Sequence, residues 1–359
     1  MSGQGAKIEY VDVSKRYGAV EALRPTSLTI EAGEFFSIIG PSGSGKTTLL
    51  GVTAGYVPPT TGQIIIDGRN VVGEPPFQRN IGMVFQNYAL FPHMTVAENI
   101  GFPLRMRKTP KAEVAERVKK MLALVQLENM AQRKPGQLSG GQQQRIALAR
   151  AAVYDPLMLL MDEPLSALDK NLREAMQDEV KQFQTVLGST VLYVTHDQAE
   201  AAAMSDRIAI MNHGRIVQIG SPRDLYEHPV ARFVASFLGE ANIFDIDKVA
   251  PHASGSTIAT RHGFSLVSAI ASGHEGQCIC VRPEAVMLNA SRPDHDNVIE
   301  GRIVDATYTA GSLRYRVQLA PEVIITQRTP SVRGIEMFAE GATVFASWRA
   351  EDTLLVADD

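Results

Sequence analysis

The stretch GPSGSGKT at residues 40–47 constrains this chain more than any other. It fits the G-x-x-x-x-G-K-[ST] pattern, in which a glycine-rich turn lets backbone N–H groups close around a phosphate. The helix that follows adds positive potential at its N-terminus. Such a loop works only between a strand and a helix, and the flanking residues supply both. LTIEAGEFFSIIG (28–40) reads as a strand running into the turn, and KTTLLGVTAG (46–55) reads as a helix closed by Gly55. Gly40, Pro41, Ser42, Gly43, Ser44 and Gly45 then form the phosphate cradle. Lys46 is expected to reach the β- and γ-phosphates of a nucleotide, Thr47 to ligate Mg²⁺, and Thr48 to help hold the α-phosphate.

The residues around this loop alternate between strand-like and helix-like patterns up to about residue 238, which predicts an α/β nucleotide-binding domain. IEYVDVSKRYG (8–18) and GQIIIDG (62–68) read as strands. KAEVAERVKKMLALVQL (111–127) and QQRIALARAAV (143–153) carry apolar residues three and four apart, as helices do. LMLLM (157–161) and TVLYVT (190–195) are near-continuous apolar runs, the mark of parallel strands covered on both faces. Asp162 and Glu163 follow the first run, and Pro164 stops it. An acidic pair at the carboxyl end of a buried parallel strand lies where open α/β sheets bind ligands. Asp162 is expected to hold Mg²⁺ through water, and Glu163 to polarise the attacking water.

The character changes near Gly239. Lys248 is the only lysine from there to the end, and short alternating runs replace helices: CICV (278–281), GRIVDATY (301–308), LRYRVQL (313–319) and VFASW (344–348). Turn residues between them predict a small antiparallel β-domain over 239–359, after an α/β domain over 1–238. A net charge of −4 argues against a general binder of nucleic acid or anionic membranes. No apolar stretch approaches the roughly 18 residues that cross a bilayer, and MSGQGAKIEY is no signal peptide, so a cytosolic chain is expected. Cys278 and Cys280 read as two ordinary strand thiols, too close in sequence for an unstrained disulfide.

LSGGQQQR (138–145) poses a different question, because two adjacent glycines disfavour a helix yet sit where one starts. Ser139 and Gln142 have capping-box spacing, so a well-capped helix accounts for part of the stretch but not for Gly140 and Gly141. Here the sequence resembles the ATPase subunits of ABC transporters, whose signature is LSGGQ, and the resemblance covers nearly the whole chain. In that family two ATPase domains close head to tail on ATP. The resemblance therefore implies that Ser139 and the Gly141 N–H hold the γ-phosphate of ATP bound to a second copy, with Gly140 and Gln142 part of the same ATP-binding stretch.

The remaining family motifs follow in order. Tyr17 in KRYG matches the aromatic that stacks on adenine, and Gln86 in VFQNYALFP matches the glutamine that contacts Mg²⁺ and the attacking water. Asp169 ends SALD (166–169), the loop that crosses the dimer, and His196 matches the histidine that contacts the γ-phosphate. The resemblance also implies a helical subdomain at about 87–155 and separate transmembrane permease subunits, served by a substrate-binding protein. Tyr88, Leu90 and Phe91 are equally candidates for the permease-docking groove and for the core.

The β-domain with VRPEAV (281–286) resembles the OB-like regulatory domain of importer ATPases, and its scarcity of lysine makes nucleic acid an unsuitable ligand. FLGEANIF (237–244) and GSLRYRVQL (311–319) resemble the spermidine/putrescine importer subgroup. A peripheral homodimer on the cytoplasmic face of the inner membrane is implied. The alternatives are an importer of another solute, a soluble ABC ATPase acting on ribosomes or DNA, and a small-molecule kinase.

Overall fold

The computed structural model describes residues 5–252, 255–270, 276–309, 311–332 and 337–358; residues 1–4, part of the stretch read as no signal peptide, lie outside these. Two compact units divide the chain, Met1–Arg223 and Asp224–Asp359.

In the first unit β1 (Ile8–Tyr17) and β2 (Val20–Ile30) form a hairpin, and β3 (Phe35–Ile39) leads into α1 (Lys46–Ala54). β4 (Thr61–Ile66), β5 (Arg69–Asn70) and β6 (Ile81–Val84) follow, then α2 (Val96–Met106), α3 (Lys111–Leu124) and α4 (Gly140–Ala152). The unit continues through β7 (Met158–Asp162), α5 (Lys170–Leu187), β8 (Thr190–Val194), α6 (Gln198–Met204), β9 (Arg207–Asn212) and β10 (Arg215–Gly220). The single strand expected over 28–40 is two strands of different sheets. The chain turns between them, with Glu34 N–H donating to Glu31 O at 3.2 Å and Glu31 N–H to Glu34 Oε2 at 2.7 Å.

Strand order in the main sheet is β10-β9-β3-β8-β7-β6, and every pair is parallel except β9 with β10. Its strands alternate between two cores, because successive side chains point to opposite faces. Phe35, Leu159, Met161, Val191 and Tyr193 join a core shared with Ile100 of α2, Met121 of α3 and Ile146 of α4. Phe36, Ile38, Met158, Leu160, Leu192 and Val194 join another, shared with α1 and with the antiparallel sheet β2-β1-β4-β5. Burial on both faces explains the continuous apolar runs.

At the far end of α1, Arg79 is 2% exposed and collects three carbonyls. Its Nη1 donates to Val52 O at 2.7 Å and Thr53 O at 2.9 Å, and its Nε to Glu74 O at 2.9 Å. Arg79→Ala strands these acceptors in a buried place and is expected to destabilise the unit by about 3 kcal/mol. Calorimetry should read this as a Tm lower by about 6–12 °C, and an unchanged Tm would contradict the assignment.

The second unit begins within α7 (Pro222–Glu227), which α8 (Arg232–Phe237) follows. Its strands are β11 (Asn242–His252), β12 (Gly255–Thr260), β13 (Ser265–Ser268), β14 (Gln277–Val281), β15 (Met287–Asn289), β16 (Asn297–Thr309), β17 (Ser312–Ala320), β18 (Val323–Pro330), β19 (Thr343–Trp348) and β20 (Leu354–Ala357). They form two five-stranded antiparallel sheets, β13-β12-β11-β14-β20 and β15-β19-β16-β17-β18. Phe244 and Ile279 of one sheet share a core with Tyr315, Val317 and Trp348 of the other.

This unit begins earlier than the composition change at Gly239 suggests, and Arg282 gives the reason. Buried at 7% exposure, it donates to Ala235 O at 2.7 Å and Tyr226 O at 3.0 Å, fastening the 224–238 segment to the β-strands. Cys278 and Cys280 are free, buried thiols on β14. Burial pushes both up in pKa, Cys280 to about 11, so neither is a ready nucleophile.

Candidate functional site

Four neighbouring parallel strands end on one side of the main sheet, and each releases one of the segments singled out above. β3 runs into the loop 40–45, β8 into Thr195 and His196, β7 into Asp162 and Glu163, and β6 into Phe85 and Gln86. The register makes them neighbours: Ile38 pairs with Val194, Val194 with Asp162, and Met161 with Val84.

The loop 40–45 is built to hold something. A Cβ at Gly40 would lie 2.3 Å from Met211 O. Gly45 adopts φ +104°, and a Cβ there would meet Ala22 O at 2.7 Å. The turn is thus packed against the backbone behind it, as only glycine permits. Ser44 Oγ is buried without a hydrogen-bond partner, an orphan that an anion acceptor in the loop would satisfy. Lys46 Nζ donates to Gly40 O at 2.8 Å and Pro41 O at 2.9 Å, so the ammonium rests on its own loop. Burial lowers its pKa, and the carboxylates of Glu163 and Asp162 oppose that shift. Asp162 is raised, by burial first and then by Glu163.

Glu163 sits in a left-handed turn (φ 44°) held by its N–H donating to Val194 O at 2.9 Å. Its Oε2 lies 3.2 Å from His196 Nδ1, and its backbone carbonyl accepts Ser166 Oγ at 2.8 Å. Gln86 Nε2 donates to that same Ser166 Oγ at 3.2 Å. Gln86, Glu163 and His196 are therefore linked in one array, with Ser166 as the bridge. Ser166 opens the SALD loop, and its bridging role shows only in the structure.

Tyr17, Thr47, Thr48 and Asp162 line one cavity of about 320 Å³, together with Tyr56 and Phe85. Tyr17 is about half exposed, with Lys15 Nζ 5.0 Å from its ring centroid. The lining combines aromatic and aliphatic side chains with the hydroxyls of Thr47 and Thr48 and the Asp162 carboxylate, a mixture that suits a base and a phosphate tail.

Ser139 caps α4: its Oγ accepts Gln142 N–H at 3.4 Å while Gln142 Oε1 accepts Ser139 N–H at 3.0 Å. Gly140 and Gly141 occupy the first turn, and a Cβ on either would stand 3.3 Å from Leu168 or Leu172. Close packing on the 166–169 loop and α5 thus accounts for part of the glycine pair. Asp169 caps α5 by accepting Leu172 N–H at 3.0 Å. Among the described residues, no hydrogen bond or ion pair joins 139–142 to the loop 40–48. Tyr88 belongs to the core at 6% exposure, with Leu90 packed against that core, whereas Phe91 lines a separate cleft of about 350 Å³ with Phe85, Phe102 and Arg107.

The ABC transporter family model matches residues 23–166, and the TOBE domain model matches 279–356. The spermidine/putrescine import ATP-binding protein PotA of Thermobifida fusca is 44% identical over 357 residues, 97% of this chain and 92% of that protein. The chain belongs to the ABC transporter ATPases. The protein of the same description from Mesorhizobium japonicum is 46% identical over 334 residues, covering 91% of this chain and 90% of that one. Among solved structures, the ATP-binding cassette MJ0796, a post-hydrolysis dimer bound to ADP and Pi, aligns with TM-score 0.53 at 36% identity. That alignment covers 60% of this chain and 99% of MJ0796. CbiO1 of Clostridium perfringens, described as part of the transporter complex CbiONQ, aligns with TM-score 0.57 at 28% identity, over 61% of this chain and 89% of that one.

This ABC ATPase thus carries an ATP-binding cassette followed by a β-rich TOBE domain. No helix among its described residues is long and apolar enough to cross a membrane.

Proposed function

We propose that the chain is the ATP-hydrolysing subunit of a polyamine importer, acting as a head-to-tail homodimer on the cytoplasmic face of the inner membrane. The observation that carries the substrate is that relatives described as spermidine/putrescine import proteins match it over nearly the full length of both chains.

Convergence of four strand ends supports the chemistry. Tyr17 stacks on adenine, and Ser44 with the N–H groups of the loop 40–47 holds the phosphates. Lys46 leaves the carbonyls of Gly40 and Pro41 for the β- and γ-phosphate oxygens, an exchange helped by its burial. Thr48 steadies the α-phosphate. Thr47, Asp162 and Gln86 form a hard-oxygen set suited to Mg²⁺, which when bound neutralises charge between the β- and γ-phosphates. Gln86 and Glu163 orient the attacking water, and Glu163 accepts its proton. His196, paired with Glu163, donates toward the γ-phosphate.

Ser139, Gly140, Gly141 and Gln142 present a capped helix start to the γ-phosphate held by a second copy, with Asp169 at the crossing between copies. ATP then draws the two copies together, and hydrolysis lets them part, a two-state change biased by ligand. The cleft lined by Phe91 and by Phe85, the residue before Gln86, suits an apolar segment of a permease.

The test is reconstitution with two permease subunits in proteoliposomes, supplying the binding protein loaded with different solutes. Spermidine or putrescine should raise ATP turnover several-fold and enter the vesicle. Stimulation by a sugar, sulfate or ferric iron, and not by polyamines, would contradict the substrate.

A further inference from the structure

Arg173 ties together the two turns that carry Asp169 and His196. It stands in the first turn of α5, where its backbone N–H donates to Asp169 O at 2.9 Å. Its guanidinium makes two hydrogen bonds and faces one further carboxylate. Nη2 reaches back to Leu168 O at 3.1 Å, near the end of the 166–169 loop. Nη1 donates to Asp197 Oδ2 at 2.9 Å. Nε has no hydrogen-bond partner and faces Glu200 Oε1 at 3.6 Å.

The acceptors are themselves anchored. Asp197 Oδ1 accepts the N–H groups of Ala199 at 2.8 Å and Glu200 at 3.2 Å, and Asp197 N–H donates to Thr195 Oγ1 at 3.0 Å. Glu200, 2% exposed, accepts Tyr193 OH and Thr195 Oγ1 on Oε2, both at 2.8 Å. His196 therefore projects between two fastened neighbours, Thr195 and Asp197. Its imidazole is 61% exposed, so packing does little to aim it. Besides the Glu163 Oε2 contact at 3.2 Å, the turn itself sets where the imidazole stands, and Arg173 grips that turn through Asp197.

We propose that Arg173 is a positioning residue that couples the 166–169 loop to His196, so that engagement of the loop by a second copy sets the imidazole against the γ-phosphate. This rests on the reading of His196 and the shared site given above. A planar fork holds Leu168 O and Asp197 at once while facing Glu200, which a lysine ammonium on a flexible stem does not reproduce. The competing account is that Arg173 only stabilises the fold, since removing one partner of a half-buried ion pair is often destabilising.

A double-mutant cycle separates the two accounts. Arg173→Ala is expected to lower kcat about tenfold, a barrier change of about 1.4 kcal/mol, with KM for ATP within about twofold. Arg173→Lys should recover only part of the loss. In a His196→Ala background, adding Arg173→Ala should lower kcat by less than about twofold, because the residue acts through an imidazole already removed. Equal tenfold losses in both backgrounds, or no loss in either, would overturn the proposal. Should Arg173→Ala fail to fold, Asp197→Asn removes the charge while keeping the shape, and the same non-additivity with His196→Ala is expected. Wild-type turnover by His196→Ala alone would instead overturn the reading of His196, a result distinct from additivity.

Discussion

Glu163→Gln is expected to lower the ATPase rate by about 10³-fold while leaving ATP-bound dimers that do not come apart. Glutamine keeps the size of the side chain and can still face His196 Nδ1, now 3.2 Å from Glu163 Oε2. It cannot accept a proton from water. The backbone of residue 163, which holds Ser166 and pairs with Val194, is untouched. Removing one negative charge from a site that must hold a triphosphate also lowers the repulsion opposing binding. Turnover and assembly should therefore separate: rate is lost, and gel filtration with ATP shows a long-lived dimer. A normal rate would remove Glu163 from the chemistry.

The second large effect concerns which chain supplies the signature. Ser139→Arg replaces an exposed helix cap, a change that costs the fold only about 1 kcal/mol. Across a closed dimer the same change places a long side chain where the partner's γ-phosphate must approach α4. Mixed dimers make this decisive when combined with Lys46→Ala. One copy carrying Ser139→Arg and the other Lys46→Ala places both defects in a single shared site and leaves the other site whole, so turnover persists. One copy carrying both changes and a wild-type partner spoils both sites, so turnover disappears. If each chain worked alone, the two results would be exchanged.

Much of this architecture could be read from residue order, for identifiable reasons. Runs such as LMLLM and TVLYVT are apolar throughout because β7 and β8 feed two cores, and each run ends on the polar residues it delivers. The signature helix starts where its Ser139–Gln142 spacing says it should. What escaped was whatever depends on long-range closure. The run 28–40 looks uniform as a strand, yet the chain must change sheets within it, through a turn at Glu31–Glu34 in which Gly33 takes φ +77° and Glu34 bonds Glu31 from both its N–H and its side chain. Tyr88 and Phe91 are alike in sequence, but one is drawn into the core, and Arg150 holds its carbonyl at 2.8 Å. Arg173 and Ser166 bridge segments from different strands, and no local periodicity encodes a bridge. At the domain boundary, composition shifts with the β-strands, whereas compactness shifts earlier because Arg282 gathers the helices before them.

The central claim is that one chain holds half of each ATP site, and dilution of the purified chain tests it most directly. With ATP and Mg²⁺ saturating, the rate per chain should fall steadily once the concentration drops below that of dimer formation, and recover on reconcentration. A rate per chain that stays constant down to a strictly monomeric solution would contradict it.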